Sequence, residues 1–216
     1  KDKQPTLRRS VLASAAGQFD ATDVNLQGKG WSLQHSSRNT DATFGSLGAM
    51  SEGEMDGHIR SIANMYGPGI NNRPEDRGFF LRSAGIDRSL TRFGATPFKG
   101  WNLGFDHLKL SGSEGGADVL TLNAKSDKAD FYFRQQRMCD QFNELASLMQ
   151  FERQQLGTIS GLDRTDFGMN LNFGKSKSLK VATLDAESPT GGAKRTAIAY
   201  RDPKIEVDLN TREVDS

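Results

Sequence analysis

Apolar residues in this chain recur at two spacings. In FGMNLNF, Phe167, Met169, Leu171 and Phe173 alternate with Gly168, Asn170 and Asn172, the period of a strand with one buried face. Alternation resumes in SLKVATL at Leu179 and Val181, in RTAIAY, and in KIEVDL at Ile205, Val207 and Leu209. GKSK, SPTGG and Asp202-Pro203 separate these segments, so the C-terminal part predicts a four-strand antiparallel meander. Upstream, FDHLKL and DVLTLN flank SGSEGGA and predict a hairpin with a seven-residue loop. Val24, Leu26, Trp31 and Leu33 predict two short strands joined through Gly28 and Gly30, followed by a surface loop or extended arm over HSSRNTDATFGSLGAM.

Elsewhere the spacing is helical. Met55, Ile59, Ile62 and Met65 follow a Ser51/Glu54 capping box and predict a helix over 52–66, ended by Gly67-Pro68. A second helix opens at Asn72 and Pro74 and closes at Gly85, and Asp87 to Phe93 predicts one further short turn, stopped by Gly94. From Ser126 and Asp127 to Leu156 there is no proline or glycine, and Phe131, Met138, Phe142, Leu145, Met149 and Leu156 form a stripe. This predicts a helix over 127–156, about 45 Å long at 1.5 Å per residue. Phe133, Leu148 and Phe151 lie off that stripe and are the candidate interaction surface toward a neighbouring subunit.

These elements predict an α+β fold, in which an antiparallel sheet made of the hairpin and the C-terminal four-strand meander packs on one long helix, with a small helical insert. The segments are an extended or β N-terminal part (1–50), the helical insert (51–94) and the sheet with its long helix (95–216), all within one compact domain. Lys-Gly-Trp-x-Leu occurs twice, at 29–33 and 99–103, with flanks that do not align; it reads as two similar strand edges rather than a repeat.

Charge narrows the function classes. The 216 residues carry 28 Lys and Arg against 27 Asp and Glu, a net charge of +1, so no global field favours nucleic acid or an anionic membrane. One local bias stands out: Arg73, Arg77, Arg82, Arg88 and Arg92 against Glu75, Asp76 and Asp87. Guanidinium forks suit phosphate, which makes Arg77, Arg82, Arg88 and Arg92 the candidate contacts of a nucleic-acid-associated reading; salt bridges are the commoner use of this spacing. Lys175, Lys177, Lys180, Lys194 and Arg195 sit near predicted turns and read as solvated surface first, a phosphate patch second.

Reactive chemistry is sparse. Cys139 has no cysteine partner and is expected to be a small buried residue beside the helical stripe. No Cys/His spacing suggests a metal, and there is no GxSxG, HExxH or P-loop, so no cofactor is implied. Asp23 opens a stretch like a calcium loop, yet Gln34 stands where the bidentate Glu is needed. His35, His58 and His107 are isolated in sequence; an enzyme reading places a motif-free site near His58 or His107. No apolar run approaches the roughly 18 to 20 residues of a spanning helix and no secretory signal is visible, so a soluble chain of open localisation is expected, with Lys1 suggesting a processed or truncated terminus. The leading expectation is a non-enzymatic structural or assembly subunit of a multiprotein particle such as a virion or secretion apparatus, working through self-association or other protein subunits.

Overall fold

A computed structural model describes residues 5–14, 17–43, 85–113, 115–142, 150–157, 159–174 and 176–215. Eleven strands make up most of them: β1 (Thr6–Ser14), β2 (Gly17–Gly28), β3 (Trp31–Thr40), β4 (Asp87–Ala95), β5 (Asn102–Gly112), β6 (Gly115–Lys125), β7 (Ala129–Met138), β8 (Asp163–Gly174), β9 (Lys177–Ser188), β10 (Gly191–Asp202) and β11 (Ile205–Asp215). They form one antiparallel sheet in strict chain order, so every strand is hydrogen-bonded to its sequence neighbours. A seven-residue helix, α1 (Gln150–Leu156), lies between β7 and β8.

This sheet corrects the α+β reading. Residues 129–138, within the expected helix 127–156, are β7, and α1 is the only α-helix among the described residues. The reason is a change of face along one strand. Phe131 and Phe133 point to one side of the sheet and Met138 to the other, so their combined spacing imitates a helical stripe. Asp87 to Phe93 is likewise β4 instead of a helical turn. The remaining helices of the expected insert fall on 44–84, outside the described residues. His35 to Thr40 continues β3, although the sequence alone reads as a loop there; its polar side chains occupy both faces, which leaves no alternation to see.

The core is small and one-sided. Leu108 and Leu110 of β5, Ala117 and Val119 of β6, and Met138 of β7 share one face of the sheet, where they are covered by Ile86, Phe142 and Leu156. Burying each of the larger side chains contributes about 1.5 to 3 kcal/mol. Gln136 Nε2 donates to the Leu156 carbonyl and Arg134 Nη2 to the Gln155 carbonyl, so the C-terminal end of α1 is tied to β7.

Connections are asymmetric. Those at one end of the sheet are 29–30, 96–101, 126–128, 175–176 and 203–204; those at the other are 15–16, 41–86, 113–114, 139–162 and 189–190. Both long connections therefore leave from the same end. At the short-turn end, Gly30 adopts φ 80°, the left-handed backbone that a two-residue turn requires and glycine permits.

Candidate functional site

Strand alternation and register together sort the side chains into two faces. On one face Leu26 pairs with Leu33, Leu33 with Phe93, Phe93 with Phe105, Phe105 with Leu122, Leu122 with Phe133 and Phe133 with Phe167. A second row, two residues nearer the short turns, runs from Trp31 through Ala95, Leu103, Ala124 and Phe131 to Met169, Val181, Ile198 and Leu209. A third joins Ala129, Leu171, Leu179, Tyr200 and Val207. None of these rows contains a charged residue. The apolar zone also steps toward the short turns between β2 and β11, an offset that tilted strands produce in a barrel wall.

Nothing described covers this face. Phe93 is 38% exposed, Leu122 43%, Phe167 37% and Leu209 60%. Phe93, Phe105, Leu122, Phe131, Phe133 and Phe167 border an open groove of about 360 Å3. Apolar patches of this extent mark a surface that meets something other than water.

Aromatic side chains gather where the apolar rows approach the short turns. Trp31 starts β3, Phe98 lies in the β4–β5 turn and Trp101 directly precedes β5, while Phe173 and Tyr200 stand near the ends of β8 and β10. Trp101 stacks on Phe131 with ring centroids 6.5 Å apart, which places its indole on the apolar side. Gly28 makes room for the other indole, since a Cβ there would meet Trp31 Nε1 at 2.2 Å. The two Lys-Gly-Trp segments thus share a place in the fold, each setting a turn lysine and a tryptophan at the same end.

From β2 to β11 charge on the apolar face is confined to its margins, while the edge strand β1 carries Arg9, paired with Asp20 at 2.6 Å, between Leu7 and Val11. Lys109, Asp118, Arg137, Asp163, Asp185 and Lys194 lie toward the long connections, and Lys177 pairs with Asp202 at 2.8 Å at the short-turn end. The opposite face carries paired charge: Arg38 pairs with Asp23 at 2.8 Å, Arg92 with Asp106 at 4.0 Å, Arg164 with Asp166 at 2.8 Å and Arg201 with Glu206 at 2.9 Å, with Asp23, Arg92 and Asp106 in the middle of their strands. A near-neutral chain is therefore one apolar sheet face backed by one highly charged face.

The expected site residues fall as follows. Phe133 lies in the central apolar row, opposite both Leu122 and Phe167. Leu148 is outside the described residues, as is the side chain of Phe151, whose backbone belongs to α1. Arg77 and Arg82 are also outside them. Arg88 is buried against Glu152 at 3.2 Å, and Arg92 faces Asp106 at 4.0 Å with both side chains about half exposed. His58 is not described; His35 hydrogen-bonds Thr91 at 2.9 Å, and His107 lies between Thr91 and Leu120 with no carboxylate directly opposite. Cys139 is exposed, contrary to its expected burial, because it stands past the end of β7. Sequence reading missed the continuous apolar rows; the signal available was the recurrence of aromatic residues beside each short turn.

Among the described residues no group of His, Cys, Asp and Glu is arranged to hold a metal ion. No helix among them is long and apolar enough to cross a membrane, a criterion that does not bear on strands. Compared with protein-family models, curated proteins and solved structures, the chain matches none.

Proposed function

We propose that this chain is part of the wall of a β-barrel embedded in a membrane, with its apolar face against lipid and its charged face toward the barrel interior. The role is structural, so the expectation that apolar side chains serve contact rather than turnover is kept, with lipid as the principal neighbour. One observation carries the reading: uncharged apolar rows cross the sheet on one face while paired arginines and carboxylates occupy the other. Lipid-facing strands alternate apolar-out and polar-in, with aromatic girdles at the interface and short turns at one end. A protein neighbour needs local shape complementarity, whereas a lipid needs only an uncharged band.

The sheet edges fit the same reading. In an antiparallel meander of eleven strands, β1 and β11 run in the same direction. Hydrocarbon tolerates no unpaired strand edge, so a fully antiparallel closure takes an odd number of further strands from outside these eleven.

The two tryptophans provide the test. With the chain reconstituted in liposomes, lipids brominated near the headgroup should quench Trp31 and Trp101 emission strongly, and the chain should float with the vesicles. Emission indifferent to bromine, from a chain that stays in the aqueous fraction, overturns the proposal and leaves a protein partner for the apolar face.

A further inference from the structure

On the charged face, every other described arginine has a carboxylate beside it or directly across; Arg8 and Arg134, for example, stand opposite Asp23 and Asp166. Arg195 and Arg212 break the pattern. They are direct cross-strand partners on β10 and β11, so two guanidinium groups project side by side from the same face. Across β9, Arg195 meets Leu184, and along its own strand its same-face neighbours are Ala193 and Ala197. Its Nε donates to Asn210 Oδ1 at 3.3 Å, which leaves the terminal nitrogens out of that bond. Leu184, Ala193, Asn210, the two arginines and Lys194, which is paired with Asp185 at 3.4 Å, border a concavity of about 490 Å3.

Like charges placed directly opposite destabilise a sheet, and the small apolar surroundings supply no compensating anion. Two forked donors sharing one hollow offer several N–H groups to a single oxyanion. We propose that Arg195 and Arg212 form a binding site for a small oxyanion, either free phosphate or the phosphate or carboxylate group of a larger solute. The site follows from register and side-chain chemistry and does not depend on the lipid-facing reading. In a barrel it would lie on the interior surface, where paired arginines favour the passage or capture of anions.

Inorganic phosphate is the probe, titrated calorimetrically into the full chain in detergent micelles at low salt. Saturable binding with competition by sulfate is expected, weakened at least tenfold in Arg195→Gln/Arg212→Gln and retained in Arg201→Gln, whose arginine is paired with Glu206. Phosphate should also protect Arg195 and Arg212 of the unmodified chain from phenylglyoxal, which keeps the test decisive if the double variant fails to fold. Absent saturable binding, equal affinity in the double variant, equal loss in Arg201→Gln, or no protection each overturns the site. None of these results bears on whether the chain enters liposomes.

Discussion

Arg88 and Glu152 are 64 positions apart in the chain, and Arg88 Nε donates to Glu152 Oε1 at 3.2 Å with both side chains almost wholly buried. The contact fixes α1 over the charged face of β4 to β7, beside the Leu108, Val119 and Met138 cluster. Removing one partner takes this ion pair away from the other in a buried setting, and breaking a buried pair costs up to about 3 to 5 kcal/mol. Arg88→Met and Glu152→Leu are each expected to lower the unfolding free energy measured in urea by up to that order, and the double variant is expected to recover most of the loss. A double variant as unstable as the sum of the singles would show that the two groups act separately.

A charge placed in the central apolar row should be tolerated differently from one placed on the other face. Phe133→Lys puts an ammonium between Leu122 and Phe167 and is expected to weaken membrane insertion by about 2 to 4 kcal/mol. Asn123→Lys, on the charged face opposite Gly104 and Tyr132, should leave insertion unchanged. Vesicle flotation of the two variants side by side checks the contrast; equal effects mean that the faces are not distinguished by lipid.

From β2 to β11 the uncharged stretch of the apolar face runs from residues 179–183 in β9 to 165–173 in β8, or roughly 13 to 26 Å at about 3.3 Å per residue. Such a band matches a thin hydrocarbon layer better than a thick one. Insertion yield is expected to be higher in twelve-carbon than in eighteen-carbon phosphatidylcholine, measured by protease protection. Equal yields in both would remove hydrophobic matching as a cause.

Cys139 is exposed and lies at the end from which the long connections leave, opposite Trp31 and Trp101. With vesicles sealed, a membrane-impermeant maleimide should label it from one side only, while quenching of the tryptophans by lipid headgroup bromines is unaffected. Labelling to the same extent before and after lysis of uniformly inserted vesicles places Cys139 outside; no labelling in either case contradicts its exposure.

Adding a Cβ at Gly28 tests the aromatic end. The side chain of Gly28→Val would collide with the Trp31 indole, so a shift in Trp31 emission is expected, read in a Trp101→Phe background. An unchanged spectrum would mean that the indole does not lie over residue 28.

Local alternation determined much of the sheet in advance. β8 to β11 lie on the four alternating segments of the C-terminal part, and Gly28 precedes and Gly30 lies in the β2–β3 turn, because a strand with one apolar side writes its period into neighbouring residues. β7 was not legible in that way. Its Phe131 and Phe133 belong to the exposed apolar rows, whereas Met138 belongs to the core beneath α1, and a strand whose apolar parity reverses along its length loses the period-2 signature. β5 reverses in the same manner, from Leu103 and Phe105 to Leu108 and Leu110, but glycines and a clear hairpin marked its limits.

What the linear chain could not reveal was the sorting of charge and the pairing of distant groups. A net charge of +1 conceals an uncharged band on one surface and an arginine-rich array on the other, since face is set by register across eleven strands and not by position along any one of them. Arg195 and Arg212 are 17 residues apart in number, and only the β10–β11 register makes them adjacent. Side-chain type and local spacing are properties of the sequence; which side chains share a surface is decided when backbone hydrogen bonds fix each strand against the next.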